Sequence, residues 1–136
     1  DTEIQERADI VAGTFTVPTT ETNVLYGGDG FDQLFGSDET DIFVFESASA
    51  FNNVDEITDF ITAESDAIDI SDLLIGFGGA SDINDFVTLT DVGGNTVLAV
   101  DANGTVGGSS FTDVTQINGL TGLDLDALYT DGNIIA

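Results

Sequence analysis

Two consecutive stretches of nine residues align place for place. Gly27-Gly28-Asp29-Gly30-Phe31-Asp32-Gln33-Leu34-Phe35 stands above Gly36-Ser37-Asp38-Glu39-Thr40-Asp41-Ile42-Phe43-Val44. Glycine stands over glycine at the first place, Asp over Asp at the third and sixth, and Leu over Phe at the eighth. One period earlier, Asn23 falls at the sixth place and Leu25 at the eighth, which makes a degenerate copy. A unit this short holds one turn and one minimal strand, so it buries its apolar residue only by stacking on its neighbours. The glycines permit positive φ, so the turn from Gly27 to Asp32 can aim main-chain oxygens and the Asp32 carboxylate at one point. The triplet Gln33-Leu34-Phe35 then reads as a strand whose middle residue points into a core.

The charge balance says what such turns need. The chain carries 26 acidic residues against one basic residue, Arg7, for a net charge of −25. Self-repulsion on this scale opposes compaction unless a counterion relieves it. Hydrophobic residues still make up 41% of the 136 residues, too many for a permanently disordered tail. Without a basic patch the chain has no means of gripping nucleic-acid phosphates, and anionic lipid repels it. No apolar run approaches the about 20 residues that span a bilayer, so direct membrane insertion is not expected. There is no Cys and no His, which removes disulfides, the common transition-metal sites and most catalytic arrangements. Paired carboxylates are the acid–base chemistry that remains, and no pair stands apart from the repeat, so an enzyme is not expected.

Asp29, Asp32, Asp38, Glu39 and Asp41 fall within thirteen residues. Brought within about 4–6 Å of one another, such groups resist ionisation unless a cation sits among them. Oxygen is the ligand chemistry on offer, and calcium accepts six to eight oxygens at roughly 2.3–2.6 Å in an adaptable shell. Magnesium keeps its waters and demands a stricter octahedron. The expected cofactor is Ca2+.

Elsewhere the pattern is mostly β. Val11 to Val17 reads as one strand ended by Pro18, and Glu46 to Asn53 as a loop. Asp55 to Ile61 reads as a strand with Ile57 and Asp59 on one side. Ala67 to Ile70 is a further short strand, and Ser71 to Leu74 a helical turn capped by Ser71. Phe86 to Thr90 and Thr96 to Val100 make a hairpin around Gly93-Gly94-Asn95. Phe111 to Ile117 is a strand and Asp124 to Tyr129 a short helix. Phe31, Phe35, Phe43, Phe45 and Phe60 are expected in the core. Asp101-Ala102-Asn103-Gly104 starts like a calcium loop of the EF-hand kind, but Val106 holds the place of the central glycine, so a plain turn is expected.

The run Gly27-Gly28-Asp29-Gly30-Phe31-Asp32-Gln33-Leu34 resembles the G-G-x-G-x-D-x-U repeat of RTX proteins, which are exported by type I secretion. Asp55-Glu56-Ile57-Thr58-Asp59-Phe60 and Asp66-Ala67-Ile68-Asp69-Ile70-Ser71 are similar to the segment after the last repeats in that family. So are Gly93-Gly94-Asn95-Thr96-Val97 and the ending Asp131-Gly132-Asn133-Ile134-Ile135. The likeness covers roughly residues 18–136, with the nonapeptide its specific part.

The resemblance implies an all-β fold: a short parallel β-roll of calcium-binding repeats over 18–45, continuing into a mostly β C-terminal cap over 46–136 with one or two short helices. Residues 1–17 are then an incoming strand or linker. It also implies that alternate turns stack, so the turn ending in Asp41 lies on the one ending in Asn23, and the turn of Asp32 pairs with the chain beyond Phe45. The ligands carried over are the side chains of Asp32 and Asp41, with oxygens from Gly27, Asp29, Gly36 and Asp38; Gly30 belongs to the same turn. Ser37 and Glu39 replace usual glycines, and Asn23 replaces an Asp, which weakens its site. Asp55 and Asp59 stand open between cap ligands and a solvated strand face, and Ile134-Ile135 between a frayed end and an export signal.

The expected function is a secreted module that stays unfolded for export and folds on extracellular calcium, read by the type I transporter through its C-terminal segment. The alternative is calcium-dependent adhesion or self-association, as part of a large cell-surface adhesin or surface-layer protein. A chain opening on Asp1 and the polar DTEIQERAD reads as a piece of a longer protein without a cleavable leader here.

Overall fold

In the repeat strands, a polar residue and the apolar residue two places on share the inner face, because side chains alternate along extended backbone. The computed structural model describes residues 5–6, 14–16, 22–36, 39–47, 50–51, 53–79 and 81–136. Within these, β3 (Asn23–Tyr26), β4 (Gln33–Phe35), β5 (Asp41–Val44) and β6 (Asp55–Thr58) each place an apolar side chain inside. Leu25, Leu34 and Phe43, the three residues at the eighth place of the repeat, are each 0% exposed, as is Ile57. Before them run β1 (Gln5–Glu6) and β2 (Thr14–Thr16), the latter inside the expected Val11 to Val17 strand. After them come β7 (Ala67–Asp69), β8 (Val87–Val92), β9 (Asn95–Val100), β10 (Thr112–Ile117), helix α1 (Leu125–Asp131) and β11 (Ile134–Ile135).

Among the described residues these strands form two sheets. One has the order β1-β3-β5-β7-β11 and the other β2-β4-β6-β10-β9-β8. The first is parallel throughout. The second is parallel from β2 to β10 and antiparallel across β10, β9 and β8. From β1 to β7 the chain changes sheet at every step, so strands that are neighbours in a sheet lie two turns apart in sequence. The register sets Asn23 against Asp41 and Leu25 against Phe43 in one sheet, and Leu34 against Ile57 in the other. Both sheets feed one hydrophobic core, where Leu25, Phe43, Ile68 and Ile134 meet Leu34, Ile57, Val114 and Ile117. Each such side chain contributes roughly 1.5–3 kcal/mol by leaving water.

Later strands complete the same two sheets: β10 lies beside β6 and β11 beside β7. The terminal pair Ile134-Ile135 is therefore a strand rather than a frayed end. Helix α1 begins where the Asp124 carboxylate accepts hydrogen bonds from the Asp126 and Ala127 amides, and it stops at Gly132.

Three expectations change. Phe31 is 46% exposed, because the fifth place of the repeat lies in the turn and points to water; Phe35 is half-buried. Ser71 does not cap its turn: Ser71–Leu73 is a 3-10 turn that comes after Ile70, and the Ser71 hydroxyl donates to Asp69 Oδ1 at 2.6 Å. The strand after Asp55 stops at Thr58, because Asp59 takes a left-handed φ of 68° and its side chain turns to solvent, away from the side of Ile57.

Candidate metal centre

The sixth place of the repeat becomes a buried column in each sheet. In the first sheet Asn23, Asp41 and Asp66 stand at successive rungs, all fully buried. Asn23 Nδ2 donates to Asp41 Oδ1 at 3.0 Å, and the Asp41 amide donates to Asp66 Oδ1 at 2.8 Å. In the second sheet the Asp32 amide donates to Asp55 Oδ1 at 3.0 Å, and both residues are buried. Each column ends on an uncharged side chain. Asn133 Nδ2 donates to the Asp66 carbonyl at 2.7 Å, and Thr115 Oγ1 to the Asp55 carbonyl at 2.9 Å.

The turn glycines are shaped around these carboxylates. Gly28 and Gly30 hold φ of 82° and 99°, which lets the chain double back before Asp32. A Cβ on Gly27 would lie 2.6 Å from Asp55 Oδ2 and 3.5 Å from Asp32 Oδ2, so two carboxylates converge on one glycine. A Cβ on Gly36 would lie 2.6 Å from Asp41 Oδ2 and 3.4 Å from the Asp59 carbonyl oxygen. Gly27→Ala is therefore expected to push the Asp55 carboxylate aside, at a cost of about 1–3 kcal/mol. Urea unfolding reads this directly, and an unchanged midpoint would mean that the cradle is loose.

Burial opposes ionisation in both columns. It pushes the Asp55 carboxyl up to about 7; the hydrogen bond from the Asp32 amide works against the rise, and the Asp32 charge adds to it. Burial also raises Asp66, to about 6. There the amides of Ile61 and Asp41 oppose the rise, and the charges of Asp41 and Glu64 support it. No basic side chain stands among the described residues, since Arg7 lies outside them.

The residues expected as ligands thus fall into groups. Asn23 and Asp41 come together, as do Gly27, Asp32 and Asp55, while Gly36 meets Asp41 and the main chain of Asp59. Asp29 is exposed, Gly30 is half-buried in the same turn, and Asp38 lies outside the described residues. The sequence reading missed Asp66, the partner of Asp41. Its signal was the triplet Asp66-Ala67-Ile68, which has the polar-x-apolar form of Asp32-Gln33-Leu34 and Asp41-Ile42-Phe43. Among the described residues no three acidic side chains gather closely enough to hold a metal by themselves. The donor chemistry does fit a hard cation: oxygen only, carboxylates in pairs, and a glycine turn narrow enough to add main-chain oxygens.

No helix among the described residues is long and apolar enough to cross a membrane. Neither a protein-family model nor a curated protein sequence matches the chain.

Proposed function

We propose that this chain is a calcium-binding module of the RTX kind: a short parallel β-roll with a β-rich cap, which is exported unfolded by type I secretion and folds on calcium outside the cell. The single observation that carries the reading is the stacking of ionisable carboxylates in buried columns, Asp32 with Asp55 and Asp41 with Asp66, in a chain with one basic residue. The passage of the chain from sheet to sheet between β1 and β7 supports the β-roll, since alternate turns then lie on one another. The nonapeptide motif supports the family, and with it the transporter as a partner of the C-terminal segment.

Asp32 and Asp55 would hold one ion with oxygens of the turn from Gly27, and Asp41 and Asp66 another with the turn from Gly36. Calcium supplies there the positive charge that the polypeptide lacks. The residues do the rest: the amides of Asp32 and Asp41 fix the carboxylates in place, and the core beneath them excludes water. Where calcium is scarce, repulsion within the columns and across the −25 chain favours the open state. At the about 10⁻⁴–10⁻³ M level of extracellular sites, binding and folding become one event. Each site filled at 100 times its dissociation constant adds about 2.7 kcal/mol, enough for two sites to decide the fold of a marginal domain.

Circular dichroism tests this. A β-rich spectrum is expected in millimolar calcium and an unfolded one in excess chelator, with magnesium a poor substitute. The same folded spectrum in chelator and in calcium would end the proposal.

A further inference from the structure

Away from the carboxylate columns, the segment after Leu74 and the loop after β9 enclose a cleft of about 340 Å3. Ile75, Phe86, Gly104 and Val106 make its apolar walls, and Asp82 and Asp85 stand at its lip. The main chain fixes its shape. The Ile75 amide donates to the Ala102 carbonyl at 2.6 Å, the Asp101 amide to the Phe86 carbonyl at 2.8 Å, and the Gly104 amide to the Asp101 carbonyl at 3.1 Å. A Cβ on Gly104 would strike the Phe86 ring at 2.8 Å, so only glycine lets the loop close on that ring. Phe77 braces Phe86 edge-on, with centroids 5.1 Å apart, and Tyr129 braces Phe77 at 5.9 Å.

Two aliphatic side chains from different loops are nevertheless held out to water: Ile75 is 67% exposed and Val106 75%. The side-chain and main-chain amides of Asn84 hold the Asp82 carboxyl below its ordinary range. Apolar walls with carboxylates at the rim complement a group that has a long methylene stem and a cationic end. The volume lies near the lower end of small-molecule pockets, about 300–1,000 Å3, and the cleft is open, so it covers one such side chain.

We propose that this cleft receives a lysine or arginine side chain presented by an extended segment of a partner polypeptide, with its stem on Ile75 and Val106 and its cation at Asp82 and Asp85. The field of the whole chain draws basic partners toward it, and the two aliphatic walls choose where they settle. The site is independent of the calcium columns.

The test uses the full chain in calcium, folded by circular dichroism, and a blocked peptide of one lysine between two leucines. Amide shifts at Ile75, Thr105 and Val106 are expected as the peptide is added, and none with norleucine in place of lysine. The double variant Asp82→Asn, Asp85→Asn keeps a capping side chain at the first position and should bind about three- to tenfold more weakly. Val106→Ser should weaken binding about threefold by removing apolar contact. Asp113→Asn, an exposed acid on β10, should change nothing. Peptide binding that is equal in all of these variants, or no shifts at Ile75 and Val106, overturns the proposal and leaves the calcium reading standing.

Discussion

Phe43→Ala is expected to cost about 3–5 kcal/mol in calcium, a large share of the about 5–15 kcal/mol that holds a typical domain. Phe43 is fully buried, sits between Leu25 and Ile68 in its sheet, and meets Phe60 with ring centroids 6.5 Å apart. Truncation would leave a cavity where three rungs join, and a backbone pinned on both sides by parallel pairing cannot collapse to fill it. Phe31→Ala is the matched comparison, a phenylalanine of the neighbouring repeat copy, three places before the core position Leu34. It should change stability by no more than about 0.5 kcal/mol, because its ring already faces water. Urea denaturation of both variants in calcium decides between them. Equal costs would mean that the fifth and eighth places do not differ as the strand alternation requires.

With calcium chelated, the chain should be more stable at about pH 5 than at about pH 7.5, the reverse of usual acid behaviour. Asp55 and Asp66 carry folded values of about 7 and 6 against an ordinary 3.8, so each binds its proton more tightly in the folded state. Folding therefore takes up protons through this window, and stability is greatest below the ordinary carboxyl range and lost as pH rises through 6 and 7. After allowance for solvent screening, the two groups together are worth on the order of 3 kcal/mol. Protons then stand in for part of what calcium does, and calcium affinity should fall over the same window as the ligands protonate. Circular dichroism in chelator at the two pH values checks the sign, with more β-rich signal expected at about pH 5 than at about pH 7.5. A chelated chain that is more stable at the higher pH would show that these carboxyls are solvated and ordinary.

The repeat made the first rungs legible. Asn23 and Asp41 are 18 residues apart, two periods, and the alternation of turns placed one on the other. The same logic put Asp32 against the segment after Phe45, where Asp55 stands. The period then breaks, because the stacked residues Asp32 and Asp55 lie 23 apart and Asp41 and Asp66 lie 25 apart. Both later circuits are longer than nine residues, by five between Asp41 and Asp55 and by two between Asp55 and Asp66, without disturbing the register, so a search at nine-residue spacing passes over Asp66. What persists through the break is the triplet in which a small polar residue and a bulky apolar one share the inner face. Thr115-Gln116-Ile117 has that form without a charge, and it pairs with Asp55-Glu56-Ile57. The strand itself was legible as Phe111 to Ile117, but its place beside β6 was not, because that place depends on a contact across 60 residues. Asp59 misled for a different reason: alternation assigns a side only while the backbone stays extended, and a left-handed residue ends the count.

The closing strands impose an order in time. Thr115 meets Asp55 across 60 residues and Asn133 meets Asp66 across 67, so the outer edges of β6 and β7 wait for strands that lie far along the chain. Contacts of such long sequence separation carry a loop-closure cost before they return any stability, and they slow folding. A chain that begins to fold from its first rungs therefore holds two unsealed sheet edges until β10 and β11 dock and cover them.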